Sequence, residues 1–285
     1  MEIRLTAQCL AQLPGADYEP LNVTAIYAGF NHLTELPPSW ERLRNLEILQ
    51  LNHNRLTLLP GSFAQLTALR ELNLSSNPLH TFPRAITQLP HLGILRLSQT
   101  GLRELPVDFQ CTQLTEFCAD RNELEKLPDT FATGQAQLCR LVLSQNRLRA
   151  LPSILAGWKN LRELDLSYNQ LDSLPEAIGD LENLEVLHLQ GNRLRTLPET
   201  FGRLRSLRQL NLYENHLTVL PKSFTNLTNL ETLDISGNAL SSVPHGIEEW
   251  KAMRWLVLSG NSLDHLAAHF SKYSHISYLP LIEKL

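Results

Sequence analysis

The sequence has few cysteines and no long apolar run, and each shortage excludes a class of protein. Four cysteines in 285 residues, scattered and without the spacing of a metal or redox motif, favour reduced thiols over a disulfide framework. No stretch approaches the roughly 18 apolar residues of a membrane helix, and the first residues contain no apolar segment of signal-peptide length. We therefore expect a soluble, cytoplasmic protein with no membrane partner; delivery into a host cell as an effector is the alternative localisation.

Charge is also low. The formal net charge is −4, the isoelectric point is near 6.2, and charged residues make up 19% of the chain. No basic stripe is present, as it would be in a chain that binds nucleic acid or an anionic membrane. The composition therefore predicts no nucleic-acid partner.

What the sequence has in abundance is one repeated phrase, LxxLxLxxNxLxxLPxxFxxLxx. The segment 161–183 reads LRELDLSYNQLDSLPEAIGDLEN and meets every position, with Ile178 in place of Phe. A period of about 23 residues predicts a solenoid in which the repeats stack on one another. Eleven copies begin at Val23, Leu46, Leu69, Leu92, Leu114, Leu138, Leu161, Leu184, Leu207, Leu230 and Met253, and asparagine occupies position 9 at Asn31, Asn54, Asn77, Asn122, Asn146, Asn169, Asn192, Asn215, Asn238 and Asn261.

Each position of the repeat predicts a local structure. Positions 4 and 6 are apolar between variable positions 3, 5 and 7, which is the alternation of a short strand with one buried face. Proline at position 15 excludes a central strand there, and apolar positions 18 and 21 lie one helical turn apart. The asparagine at position 9 is expected to be buried and to satisfy backbone groups that have no partner in the strand ladder.

These repeats resemble the leucine-rich repeat family over nearly the whole chain, from Val23 to about Ile276. The Leu-Pro pair at positions 14 and 15 resembles the intracellular Ras-group-related subgroup and bacterial members. The resemblance implies an α/β solenoid, a horseshoe with a concave parallel β-sheet and short helical or 3₁₀ convex segments. We expect one continuous domain: residues 1–22 as an N-terminal cap coil, 23–275 as eleven repeats, and 276–285 as a C-terminal cap strand and tail.

Two regions depart from the regular pattern. The fourth repeat is one residue short and has Thr100 in the asparagine column, and the fifth is one residue long and has Phe117 at a strand leucine position. We expect the ladder to be locally distorted there, through neutral drift or as a kink that shapes a binding surface. The C-terminal end, with Ile276, Leu279 and Leu281 at strand positions, is more apolar than an ideal cap. We expect that it covers itself imperfectly, meets another subunit through weak self-association, or meets a further domain.

The residues that the repeat does not use for packing are left to carry function. On the predicted concave face these are positions 3, 5, 7 and 8. A smaller aromatic group, Tyr27, Phe30 and His53, lies in the first two repeats. The later repeats combine aromatic and hydrogen-bonding side chains of the kind that protein interfaces favour, although a merely solvated strand face is the alternative for each residue. The predicted partner-binding residues are Asp165, Tyr168, His188, Gln190, Asn211, Tyr213, Asp234 and Trp255.

Catalysis is the weaker interpretation of this face. Asp165, His188 and Asp234 share one column and could orient a histidine or hold a metal. An open face does not exclude water, however, and no nucleophile elbow, P-loop or HExxH motif occurs. We therefore predict a non-enzymatic module with no cofactor, metal or catalytic residue, which binds a protein partner on its concave face. The alternative is a sensor, regulatory or structural segment of a larger protein whose activity lies in another domain or subunit.

Overall fold

The computed structural model describes residues 1–13, 22–109, 111–246 and 250–263. The chain divides into two compact units, unit 1 (Met1–Val142) and unit 2 (Leu143–Leu285). The predicted C-terminal cap strand, 276–285, through which weak self-association is expected, lies outside the described residues.

The described residues of unit 1 contain seven short strands, each paired in parallel with the next along the chain. The pairing follows the repeat, so that Leu49 of one repeat lies opposite Leu72 of the next. The predicted strand in each repeat is therefore confirmed. The strands are β1 (Glu2–Arg4), β2 (Ala25–Tyr27), β3 (Ile48–Gln50), β4 (Glu71–Asn73), β5 (Ile94–Arg96), β6 (Glu116–Cys118) and β7 (Arg140–Val142).

The first of these strands was not predicted. β1 pairs with β2, with Ile3 opposite Ile26, although the repeat pattern placed only a cap coil in this region. The amide of Leu5 also donates to the carbonyl of Tyr27 at 2.7 Å. The N-terminal segment therefore continues the ladder by one strand beyond the first recognisable repeat.

Unit 2 has the same construction. Leu187 lies opposite both Leu164 and Leu210, so the leucine at position 4 forms a buried column beneath the sheet. We call the solvent-exposed side of the strands, formed by repeat positions 3, 5, 7 and 8, the strand face. The strands are β8 (Glu163–Asp165), β9 (Val186–His188), β10 (Gln209–Asn211), β11 (Thr232–Asp234) and β12 (Trp255–Val257).

The segment after the proline is helical in most repeats, as predicted. Pro198 has φ −67° and ψ 152°, an extended conformation from which a short 3₁₀ helix starts, and Phe201 and Leu204 of that helix side are buried. In the repeat that contains Pro106, by contrast, the described residues that follow the proline form no helix. The 3₁₀ helices span Pro38–Arg42, Gly61–Gln65, Arg84–Gln88, Ala156–Trp158, Glu176–Asp180, Glu199–Arg203 and Lys222–Asn226, and one α-helix spans Asp129–Gly134. No helix among the described residues is long and apolar enough to cross a membrane.

The asparagine column is hydrogen-bonded as expected, and its members are buried except for Asn238 and Asn261, which are half-buried. Asn169 is 6% exposed. Its Nδ2 donates to the carbonyls of Leu143 and Leu166 at 3.0 Å, and its Oδ1 accepts from the amide of Leu148 at 3.0 Å. One amide thus satisfies three backbone groups in two successive repeats, which explains why this residue type recurs at one position.

The predicted distortion of the ladder at the fourth and fifth repeats was wrong. Leu95 lies opposite Phe117, and Phe117 opposite Leu141, so the register continues without interruption. The α-helix Asp129–Gly134 takes up the extra residue on the helical side. Phe117 fits at a leucine position because its ring packs against Phe109 and Phe131, with centroids 5.7 and 5.3 Å away.

Thr100 replaces only part of what an asparagine does. Its hydroxyl donates to the carbonyl of Leu97 at 2.8 Å, the bond that Asn169 makes within its own repeat. It does not reach the preceding repeat, where the amide of Leu79 instead donates to the carbonyl of Asn77 at 2.9 Å. A local turn therefore replaces the missing inter-repeat bond.

Candidate partner-binding face

Every predicted site residue lies on the strand face of unit 2. Asp165, His188, Asn211 and Asp234 are direct neighbours across β8 to β11, and each is half-buried. Parallel strands lie about 4.8 Å apart, so these four side chains form one polar row. The structure thus brings together residues that are 23 positions apart in the sequence.

The acidic and amide side chains of this row are held by the turn that follows each strand. Asp165 Oδ1 accepts from the amide and the hydroxyl of Ser167 at 2.9 and 2.6 Å. Asp234 makes the same pair of bonds with Ser236 at 2.9 and 2.5 Å. Each carboxylate is fixed through one oxygen, so its other oxygen can accept a donor from outside.

Three aromatic side chains stand beside the polar row. Tyr168 and Trp255 keep 48% and 43% of their surface exposed. The ring of Tyr213 lies over Gly237, where an added Cβ would be 3.3 Å from Tyr213 Cε2. Large, partly exposed aromatic rings on a rigid strand are the usual anchors of protein interfaces.

Tyr213 also forms a hydrogen bond with a neighbouring acid. Its hydroxyl donates to Glu214 Oε1 at 2.6 Å, and this bond is the main reason that the pKa of Tyr213 is raised. Glu214 has φ 52° in the turn after β10, a left-handed conformation that costs a non-glycine residue of the order of 1 kcal/mol. Glycine occupies the equivalent position after β9, β11 and β12, at Gly191, Gly237 and Gly260.

Two polar atoms in the centre of the face have no hydrogen-bond partner. They are His188 Nδ1 and Gln190 Oε1, both shielded from solvent. An unpaired buried polar atom costs about 1–3 kcal/mol, so this part of the face is not optimised for the stability of the free chain.

The strand face of unit 2 is acidic. Positions 3, 5, 7 and 8 of β8 to β12 carry Glu163, Asp165, Glu214 and Asp234 and no lysine or arginine. Neither Asp165 nor Asp234 forms an ion pair with any described residue. The nearby arginines Arg162 and Arg208 are already paired with acids of position 2 in the next repeats.

The strand face of unit 1 has the opposite arrangement. Glu71, Arg96 and Glu116 form a chain of ion pairs at 2.6 and 2.9 Å, and Arg140 adds a contact of 3.4 Å to Glu116. This network was not predicted, although Glu71 and Glu116 at position 3 and Arg96 at position 5 of three successive repeats indicated it. Here opposite charges across neighbouring strands stabilise the sheet.

The aromatic group of the first repeats is also formed. Phe30 and His53 stack with ring centroids 4.2 Å apart and an angle of 12° between their planes. Tyr27 lies under the guanidinium of Arg4, 5.1 Å from its ring centroid. The structure therefore pairs Phe30 with His53 and joins Tyr27 to the strand β1 that was not predicted.

The same row has little of what a metal site or a catalytic site needs. His188 lies between Asp165 and Asn211, so Asp234 is two strands away from it. Among the residues that the structure describes, no group of three or more His, Cys, Asp or Glu side chains is arranged to hold a metal ion. A cavity of about 630 Å³ in unit 2 lies elsewhere, beside the helical segments, and is lined by Ile154, Lys159 and Asp180 among others.

Stacked strand-turn-helix repeats with an asparagine column beneath the sheet define a class of solenoid repeat proteins. Two family models match the chain: a leucine-rich repeat region over residues 141–256 and a leucine-rich repeat over residues 22–79. The chain belongs to the leucine-rich repeat family, and the predicted α/β solenoid fold is confirmed. No curated protein sequence matches it.

Solved structures give the same result. A leucine-rich repeat protein of Leptospira interrogans is 27% identical, with a TM-score of 0.65 over 95% of this chain and 81% of that one. Toll, in the Drosophila Toll–Spatzle complex, is 30% identical with a TM-score of 0.81 over 91% of this chain. A plant peptide hormone receptor in complex with its peptide is 27% identical with a TM-score of 0.68 over 91% of this chain. The chain spans only 37% and 47% of these two receptor chains. Proteins of this family and fold are typically non-enzymatic interaction modules.

Proposed function

We propose that the chain is a non-enzymatic recognition module that binds a protein partner through the strand face of unit 2. The observation that carries this proposal is the combination of partly exposed Tyr168 and Trp255 with Asp165 and Asp234, whose carboxylates form no ion pair with a described residue. Such a face costs stability in the free chain, and a partner that supplies donors and covers the rings would recover that cost. The Toll and peptide-receptor structures, both complexes with a bound ligand, support a protein or peptide partner.

An affinity experiment with matched variants tests the proposal. Wild-type chain, a Tyr213→Ala/Trp255→Ala variant and an Ile154→Ala/Val219→Ala variant serve as baits under identical conditions. Ile154 and Val219 are 60% and 51% exposed and lie off the strand face, so the control removes similar apolar area from the same unit. The expected result is a protein captured by the wild type and the control but not by the face variant, with all three showing the same circular dichroism spectrum. Equal capture by all three baits would refute the chosen face.

A second candidate function is a sensor or regulatory segment of a larger protein. The receptors that the chain resembles are more than twice as long as the region that it matches. On this proposal, the activity lies in another domain or subunit and the strand face controls it. A natural transcript that continues the reading frame past Leu285 into a further domain would favour this candidate.

Two further proposals concern the setting of the chain. We propose a reducing compartment, the cytoplasm or the interior of a host cell, because all four cysteines are free and two of them, Cys111 and Cys118, are buried. Weak self-association through the C-terminal end is tested by sedimentation velocity, in which a concentration-independent monomer at micromolar concentration would contradict it.

A further inference from the structure

The distribution of charge on the two strand faces identifies the chemistry of the partner. In unit 1, Arg96 bridges Glu71 and Glu116, so these two acids already have a cation. In unit 2, Asp165 and Asp234 receive only a serine amide and hydroxyl each. Glu71 and Glu116 of unit 1 therefore share an internal cation, whereas the carboxylates of Asp165 and Asp234 in unit 2 receive none from a described residue.

The aromatic groups around the two aspartates favour one kind of cation. Tyr168 lies in the turn after Asp165, and Trp255 is in the strand β12 next to the strand of Asp234. A guanidinium group forms paired hydrogen bonds with a carboxylate and also stacks on aromatic rings, whereas an ammonium group is a more strongly hydrated point charge. The juxtaposition of an open carboxylate and an exposed ring at both ends of the row matches arginine better than lysine.

We infer that the partner presents two arginine side chains on an extended segment that crosses the strands of unit 2, one to Asp165 and one to Asp234. This inference rests on the proposed function and specifies its partner. Asp165 and Asp234 are three strands apart, or about 14 Å at about 4.8 Å per strand. An extended chain covers that distance in about four residues, so the recognised pattern is an arginine followed by another four positions later.

A peptide experiment tests this inference directly. The probe is a fluorescein-labelled Gly/Ser peptide with two arginines four residues apart, and its control is the same peptide with citrulline, which keeps the shape and removes the charge. Binding is measured by fluorescence anisotropy at low ionic strength. The arginine peptide is expected to bind at least about tenfold more tightly than the citrulline peptide, as for a charge-assisted hydrogen bond. Equal affinities would overturn the inference.

Two variants separate a specific contact from general attraction to an acidic protein. Asp165→Asn/Asp234→Asn removes two charges from the face and keeps an oxygen for the serine amides, so the fold is retained. Asp172→Asn/Glu182→Gln removes two charges from exposed positions off the face. The preference for arginine is expected to disappear in the first variant and to persist in the second, and a similar loss in both would overturn the inference.

A failure of the arginine inference is distinguishable from a failure of the proposed function. If the wild type captures a protein that the Tyr213→Ala/Trp255→Ala variant does not, and the arginine peptide shows no preference, the face binds a partner of different chemistry and only the inference is wrong. If neither the Tyr213→Ala/Trp255→Ala variant nor the Asp165→Asn/Asp234→Asn variant binds less than the wild type, both the inference and the proposed face are wrong.

Discussion

The ring of Tyr168 occupies the space in which residue 191 would place a side chain. A Cβ built on Gly191 would lie 2.5 Å from Tyr168 Cδ1, closer than two such atoms can approach, and Gly191 has φ +68°. Glycine is therefore required twice, once for its left-handed backbone and once for the room that it leaves. The exposed ring of Tyr168 in one repeat therefore packs directly on the backbone of Gly191 in the next repeat.

Gly191→Ala is expected to destabilise the chain and to displace Tyr168. The left-handed backbone and the clash together predict a loss of about 1–3 kcal/mol in the free energy of unfolding, measured by urea denaturation. Gly61→Ala is the matched control, because a Cβ there meets nothing within 4 Å, and it is expected to change stability by less than about 0.5 kcal/mol. Equal unfolding curves for the two variants would show that the position of the Tyr168 ring does not require glycine at residue 191.

Asn169→Ala is expected to lower stability without altering the strand face. The substitution leaves the carbonyls of Leu143 and Leu166 and the amide of Leu148 without their partner, which predicts a loss of about 3 kcal/mol or more. Partner affinity measured on the folded fraction is expected to stay unchanged. Gln170→Ala, one residue further on, serves as the control, and an unchanged melting temperature in Asn169→Ala would contradict the role of the column.

Gln135→Met is expected to stabilise the chain. Gln135 is completely buried, and neither polar atom of its amide has a hydrogen-bond partner. Replacing an unpaired buried amide by an apolar side chain of similar length removes a penalty of about 1–3 kcal/mol. Chemical denaturation of the variant should show a higher midpoint at an unchanged slope, and a lower midpoint would mean that the amide contributes to the fold.

The two buried thiols are expected to resist alkylation in the native chain. Burial raises the pKa of Cys111 and of Cys118 to about 12, and only the thiolate reacts readily. Iodoacetamide at pH 8 should therefore modify the exposed Cys9 and the half-buried Cys139 first. Mass spectrometry that finds Cys111 modified at the same rate as Cys9 would contradict this.

The same pKa makes stability depend on alkaline pH. A raised folded pKa means that the neutral thiol of Cys111 stabilises the native state fully below the unfolded pKa of about 8.5, and that this contribution is lost as pH rises towards about 12. The free energy of unfolding should therefore fall between pH 8 and pH 10. Cys111→Ala should show a shallower decline over that range, and identical declines would show that this thiol is not the cause.

The sequence predicted what the period determines and missed what depends on neighbouring repeats. Eleven strands, the segments after the proline and the asparagine column follow from apolar spacing and backbone hydrogen bonding, which are the same in every repeat. β1 was missed because Gln8 stands at repeat position 9, where the other repeats have asparagine or, once, threonine. The ladder at Phe117 could not be judged from the strand pattern, because the fit of that ring depends on Phe109 of the preceding repeat and on Phe131 on the helical side of its own repeat.

The candidate site could be predicted as a set of residues but not as a set of contacts. Repeat positions 3, 5, 7 and 8 placed Asp165 and Trp255 on one face without any knowledge of side-chain geometry. The bonds of Asp165 to Ser167, the unpaired atom of His188 and the cover of Gly191 by Tyr168 depend on rotamers. The repeat pattern does not encode such contacts, so the sequence alone did not show that the carboxylate of Asp165 forms hydrogen bonds but no ion pair with a described residue.

Site-specific photo-crosslinking tests the central claim most directly. A photoreactive phenylalanine analogue replaces Asn211, in the centre of the strand face of unit 2, and in a second protein it replaces Ile154, on the helical side of the same unit. Each protein is irradiated with the partner recovered by the wild-type chain. The account predicts a crosslinked product from position 211 and none from position 154; a product from position 154 alone would contradict it.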